Sequence, residues 1–243
     1  QDKQFIPWKH RSEFVKHIGV VFGQKSQLWS DLPPIDTFHL NKALFEIPSK
    51  DFDRRLDYFT KLLDVKDVIN RPTRQLSLGE RMKCELIAAL LHGPRLVFLD
   101  EPTIGLDIIV KEKIRDFISE VNKKEGITFI LTTHDLQDID RLCKRVIILD
   151  KGAIAYDGPL DKLKKHYIKE KNIKLMLESP SKFKLPMKGM KIHRQNGAEI
   201  ELRVPIGKVH DATRKLVNAY ELLDITITDP TIEQVISHIY GKK

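Results

Sequence analysis

Residues 96–107 read LVFLDEPTIGLD. Four apolar residues run into two adjacent acids and then a proline. Such a run reads as a central strand of a parallel sheet, covered on both faces. The acids at its end need a reason. Carboxylates avoid dry surroundings unless something positive sits against them. A metal ion, a basic side chain or water at the sheet edge would each serve for Asp100 and Glu101. Which one it is decides what the chain does.

Outward from that stretch, strands and helices alternate. HIGVVFGQ (17–24) is a short β-branched run ending in Gly and Gln, and predicts a buried strand. SDLPPIDTFHLNKALFEI (30–47) opens a helical pattern on a proline pair. DFDRRLDYFTKLLDV (51–65) has apolar residues at helical spacing and a charged opposite face. SLGERMKCELIAALLHG (77–93) starts on Ser and ends on Gly, as a capped helix does. IVKEKIRDFISEVNKKEG (109–126) is an amphipathic helix with a Gly stop, ITFILTTHD (127–135) a second buried strand, and LQDIDRLCKR (136–145) a helix. RVIILDKGAIAYDG (145–158) predicts a hairpin turning at Asp150-Lys151-Gly152. Residues 1–160 therefore read as an α/β domain with a mostly parallel sheet.

The character changes after residue 160. DKLKKHYIKEKNIK (161–174) holds six lysines and reads as a linker helix or a solvated face. NIKLMLES, MKIHRQ, AEIELRVP and LDITITD follow as short strands, with helices near 207–220 and 230–240. Residues 161–243 predict a small α+β domain. Charge divides the same way. The net +8 splits into +1 over residues 1–160 and +7 over 161–243. A basic region can face nucleic acid or anionic lipid, but lysines more often solvate a surface. No aromatic interleaving suggests a base-stacking platform, so no nucleic-acid partner is expected.

The 41% hydrophobic and 31% charged content is that of an ordinary globular protein. No stretch reaches the length needed to cross a bilayer, and no secretory signal opens the chain. Cys84 and Cys143 lack metal-ligand spacing and read as small buried hydrophobes of a reducing compartment.

In parallel sheets, ligand chemistry gathers at the carboxyl ends of the strands. Gln24, Asp100-Glu101 and His134 each end an apolar strand, so three polar groups should meet at one sheet edge. An acid there can hold Mg²⁺, and a second can orient and deprotonate a water that attacks phosphate. Each residue also has a plainer reading. Acid pairs are mostly solvated or paired with Lys. A lone His is more often structural, and Gln24 could be a polar strand end. In QLSLGER (75–81), Ser77 and Gly79 at a helix start can bind an anion, yet Ser77 with Glu80 also fits a capping box.

Order and spacing together change these odds. Gln24, LSLGE (76–80), LVFLDEP (96–102), GLD (105–107) and TTHD (132–135) follow one another as the ATP-binding subunits of ABC transporters arrange their motifs. From about Ile18 to Gly158 the chain resembles them, and within them the ABC-2-type exporter group that includes sodium- and drug-extrusion ATPases. VVFGQKSQLWSDLP (20–33), RQLSLGER (74–81) and LLHGPRLVFLDEPTIGLD (90–107) carry the resemblance most closely.

The resemblance implies a P-loop-NTPase-like nucleotide-binding domain over 1–160, with a helical subdomain near 29–92 that docks on a membrane permease. By position, Gln24 matches the Q-loop glutamine, which senses Mg²⁺ and the γ-phosphate. Ser77, Leu78, Gly79 and Glu80 match the signature motif, which caps ATP held by a second ATPase subunit. Asp100 matches the Mg²⁺-binding aspartate, Glu101 the general base, Asp107 the aspartate that crosses the dimer interface, and His134 the switch histidine. ATP and Mg²⁺ are the implied cofactors. The implied partners are a second ATPase subunit and a separate permease chain. The implied place is the cytoplasmic face of the plasma membrane. The residue-161 onward appendage resembles those thought to regulate or to aid dimerisation, and LDITITDPTIEQVISHIYGK (223–242) the usual ending of such chains.

Two departures stand out. LSLGE has Leu78 and Glu80 where the commonest form has Gly and Gln; Glu80 adds a negative charge near the nucleotide. More important, ATP-binding domains cradle phosphate in a G-x-x-x-x-G-K-[ST] loop, and none occurs here. Only Gly207 and Gly241 precede a Lys, and neither Lys is followed by Ser or Thr. In the resembled family the loop lies upstream of the Q-loop, and 23 residues precede Gln24. The N-terminal part of the nucleotide domain is therefore expected to be missing. The chain alone is expected neither to bind ATP tightly nor to hydrolyse it, and its sheet to expose an unpaired face. Two other readings stand beside the transporter subunit: a non-catalytic partner lending its signature motif, and a soluble ABC ATPase acting on ribosome or DNA.

Overall fold

Three parallel strands frame the first part of the chain: β1 (Ile18–Phe22), β2 (Leu96–Asp100) and β3 (Thr128–Thr132). β2 lies in the middle, with Phe22, Asp100 and Thr132 in one register row and Val20, Phe98 and Ile130 two rows before it. The structure, a computed structural model, describes residues 6–23, 25–167, 169–179 and 183–230. Two compact units divide it, Gln1–Leu142 and Cys143–Lys243. The boundary drawn from sequence at residue 160 instead sets the hairpin of residues 145–159 with the first unit.

In the first unit the helices are α1 (Arg11–Val15), α2 (Pro34–Leu44), α3 (Ser49–Leu63), α4 (Leu78–Leu90), α5 (Ile108–Glu125) and α6 (Leu136–Leu142). α2 starts on its proline pair, where a missing N–H costs nothing. α5 ends on Gly126, whose φ of +68° is the left-handed turn that glycine adopts freely. One sheet face is closed by helices: Val21, Val97 and Leu99 are buried with Leu86, Leu90, Ile114, Phe117 and Ile118. α4 comes so close to β1 that a Cβ at Gly19 would collide with the Ala89 carbonyl.

The other face is open. Phe22 is 45% and Ile130 50% exposed, and Leu96, Val20 and Phe98 are only partly covered. This corrects three expectations. β1, read as a buried strand, is an edge strand covered on one face only. β2 is central and parallel but is covered on one face only. β3 is an edge strand with Thr128, Ile130 and Thr132 exposed, not a buried one. An unbroken apolar run gives no sign of which face lacks a cover. The exposed face expected from sequence is present.

In the second unit, β4 (Arg145–Asp150) and β5 (Ala153–Pro159) form the expected hairpin. Its two-residue turn has positive φ at both Lys151 (48°) and Gly152 (78°), the twist that suits a tight hairpin. α7 (Leu160–Tyr167) follows. β6 (Glu170–Leu177), β7 (Lys191–Asn196), β8 (Glu199–Pro205), α8 (Val209–Ala219) and β9 (Leu222–Thr228) then build an antiparallel sheet of order β7-β8-β6-β9. Alternate residues Ile173, Leu175, Leu177, Ile200, Leu202 and Val204 point to one face and bury against Ala212 and Leu216 of α8. The helix expected near 230–240 lies outside the described residues.

Candidate functional site

β2 delivers two carboxylates in different directions. Asp100, the last strand residue, stands on the open face and accepts from Thr132 Oγ1 at 2.6 Å across the register. Glu101 leaves the sheet with φ of +51°, left-handed and costly for a residue with a side chain. Its N–H donates to the Thr132 carbonyl at 3.0 Å. Beside it, Gly23 N–H donates to the Asp100 carbonyl at 2.7 Å. A side chain at Gly23 would strike the Asp100 and Glu101 carbonyls, so only glycine permits this approach.

His134 lies just beyond β3, and its Nδ1 is 2.8 Å from Glu101 Oε2. The His134 N–H points at the same oxygen from 3.4 Å. The imidazole is largely exposed, and the hydrogen bond to Glu101 raises its pKa above the ordinary value. Asp100, Glu101 and His134 thus meet at the carboxyl edge of the sheet, as expected. Gln24, expected there too, lies outside the described residues.

Sequence reasoning missed what holds the two loops together. Asp138 on α6 is fully buried and accepts from Arg115 Nε (2.7 Å), Thr103 Oγ1 (2.6 Å) and Thr133 Oγ1 (2.9 Å). Arg115, 1% exposed, also donates to Glu112 (2.7 Å) and Gln137 (3.1 Å) and places Nη2 3.2 Å from Asp135. Lys111 pairs with Asp135 at 2.7 Å. The only sequence signal was Arg115 and Asp138 within otherwise amphipathic helices.

The second group of expected residues forms a separate cluster. Ser77 caps α4 and accepts from Glu80 N–H at 3.2 Å, while Glu80 Oε2 accepts from Ser77 N–H at 2.8 Å. The capping box is real, and its bond to the Ser77 N–H lowers the Glu80 pKa. Asp107 caps α5 by accepting from Val110 N–H at 2.9 Å. The two helix starts touch. A Cβ on Gly79 would press Val110 at 3.0 Å, and one on Gly105 would press Leu78 at 3.2 Å. Ser77, Leu78, Asp107, Ile108 and Ile109 are exposed there. Among the described residues no hydrogen bond or ion pair joins this cluster to the first.

A third contact fastens α4 to the loop after β1. Glu85, 2% exposed, accepts from Ser26 Oγ (2.5 Å) and from Gln27 N–H (3.0 Å). Burial raises its pKa. Burial likewise pushes the Cys84 thiol up to about 12, which makes it inert.

A hard divalent cation fits the first cluster. The Asp100 carboxylate is exposed, and Thr132 engages one oxygen only. No group of three metal-ligating side chains exists among the described residues.

Residues 10–139, more than half of the chain, match the family model described as "AAA domain, putative AbiEii toxin, Type IV TA system". The chain belongs to this AAA-domain family. Its relatives are ATP-binding proteins of ABC transporters. One is an uncharacterised example from Methanocaldococcus jannaschii, 34% identical over 55% of this chain and 51% of the relative. Another is NatA of Bacillus subtilis, 30% identical over 64% and 63%. Import proteins for methionine and phosphonates occur among the relatives too. The solved structure of cbiO1 from Clostridium perfringens, part of the transporter complex cbiONQ, superposes with a TM-score of 0.57 at 25% identity, covering 64% of this chain and 62% of that one. The fold is that of the ABC nucleotide-binding domains, the P-loop-NTPase fold. The chain spans roughly half to two-thirds of the length of the relatives it matches.

Proposed function

We propose that this chain is an ATP-binding and ATP-hydrolysing subunit of an ABC-type membrane exporter, driven by nucleotide-dependent dimerisation. The Glu101–His134 contact at the carboxyl edge of a parallel sheet carries this reading. It sets an acceptor for the attacking water's proton beside an imidazole that, when protonated, can donate Nε2–H to a γ-phosphate oxygen. Asp100 would hold Mg²⁺, which would supply charge neutralisation to a transferring phosphoryl group. Gln24 follows β1 in sequence and would sense that metal. Ser77, Leu78, Gly79 and Glu80 face the nucleotide of a second ATPase subunit, and Asp107 crosses to that subunit. The exposed positions of the second cluster support a role toward a partner. The permease is a separate chain, and this chain binds it from the cytoplasmic face of the plasma membrane. No described helix of this chain is long and apolar enough to cross a membrane. We assign residues 1–160 to the ATPase part and 161–243 to an accessory domain.

These 243 residues hold no G-x-x-x-x-G-K-[ST] loop. Each lost charge-assisted hydrogen bond to phosphate costs roughly 1.5–3 kcal/mol, and about 1.4 kcal/mol is tenfold in affinity. Calorimetric titration with Mg-ATP should therefore show a Kd well above about 1 μM. Tighter binding would refute this. The formed capping box and the absent loop together favour a second reading, in which the chain lends its signature motif to a loop-bearing subunit. Mixing the two separates the readings. If Glu101 is the base, Glu101→Gln lowers the turnover of the mixture. If only the signature is lent, Glu101→Gln leaves turnover intact and Ser77→Ala lowers it.

A further inference from the structure

Asp138 touches both loops that carry the candidate chemistry, yet stands apart from both reacting groups. Thr103, two residues after Glu101, donates to Oδ2 at 2.6 Å. Thr133, one residue before His134, donates to the same oxygen at 2.9 Å. Arg115 holds Oδ1 at 2.7 Å. On the other side of His134, Asp135 is held by Lys111 and lies beside Arg115. His134 is exposed, so packing does not fix its place. Its turn is pinned on both flanks by buried groups instead.

We propose that Asp138 is a positioning residue: one buried carboxylate, backed by Arg115, sets the Glu101 and His134 loops at hydrogen-bond distance. This rests on the ATPase reading for its purpose, though not for its geometry. A short hydroxyl–carboxylate bond in a dry site resists displacement far more than a solvated contact. Two such bonds onto one oxygen leave the loops little freedom to separate. The separation they fix is the one between proton acceptor and phosphate donor. Displacements of about 1 Å there can cost a hundredfold in rate.

The test is ¹⁵N NMR of the His134 imidazole in the full chain without nucleotide, with the signal assigned by its loss in His134→Gln. Above the ordinary imidazole pKa of about 6.5, and above the raised value here, the ring is neutral. Glu101 then selects the tautomer with the proton on Nδ1, because an ionised carboxylate only accepts. The charged groups facing the ring are Glu101, Asp135 and Lys111, and none of them is changed. In Thr103→Val, which keeps the buried volume, and in Asp138→Asn, the Nδ1–H signature is expected to be lost toward the averaged pattern of a free imidazole. Thr103→Ser should restore it. Variants that fold, lose stability and keep the signature would overturn the proposal, leaving Asp138 as core structure only. If Asp138→Asn fails to fold, the Thr103 pair decides, because the Arg115–Asp138 contact stays in place. Mg-ATP binding plays no part in the readout, so a Glu101→Gln variant that leaves the turnover of the mixed subunits intact would refute the ATPase reading and leave this result standing.

Discussion

The two units use their sheets differently. In Gln1–Leu142 all three strands are parallel, so their carboxyl ends share one edge, and Asp100, Glu101 and His134 meet there. In Cys143–Lys243 the four-stranded sheet is antiparallel, so successive strands end at opposite edges, and among the described residues no comparable group of polar ends forms. The first unit carries buried charge, with Arg115 and Asp138 inside it. Among the described residues, the core of the second is apolar. Strand direction decides where chemistry can gather, and a charged core is what holds it there.

The largest test of this contrast is Arg115→Met. It leaves Asp138 buried without its cation, at a cost of about 3–5 kcal/mol. Thermal unfolding should show the first unit's transition falling while the second unit's stays put. A single transition that moves as one would end the picture of two independent cores. Leu202→Ala is the mirror experiment. Leu202 is fully buried, and its truncation costs about 2–5 kcal/mol, confined to the second unit. Ser77→Ala should cost about 1 kcal/mol in the first unit by removing the cap of α4. Glu80→Gln should cost much less, because the amide oxygen still accepts from Ser77. Chemical denaturation of the two variants measures the difference.

The smallest effect concerns pH. Glu101 raises the His134 pKa, so the folded state favours the protonated ring. The resulting stabilisation is fully present below the unfolded value of about 6.5 and is lost as pH rises through the folded value. An NMR titration should place the His134 midpoint above that of an unrestrained histidine. In Glu101→Ala the midpoint should return to the ordinary value; a midpoint that stays raised would mean that Glu101 is not the cause.

Much of this was legible in sequence because local signals agree with the fold. Ser77 with Glu80 announced the start of α4, Gly126 the end of α5, and Lys151-Gly152 the hairpin turn. Three apolar runs ending in polar residues announced the site edge. The coverage of β2 and β3 was misread because LVFL and ITFIL look alike whether one face or both are packed. Periodicity reports burial only where the two faces differ. Arg115 and Asp138 were passed over because a charged residue on an amphipathic helix reads as solvated until a partner is seen.

The sequence by itself determined the elements, the parallel order implied by their alternation, and the residues placed at the strand ends. Those depend on neighbours within a few positions, where sterics, caps and turns act. Tertiary structure alone decided that Glu101 reaches His134, that Asp138 joins Thr103 to Thr133, that Glu85 fastens Ser26, and that one sheet face stays open. These pairs lie up to 59 residues apart. A hydrogen bond needs its partners within about 3 Å, a condition that spacing along the chain does not specify.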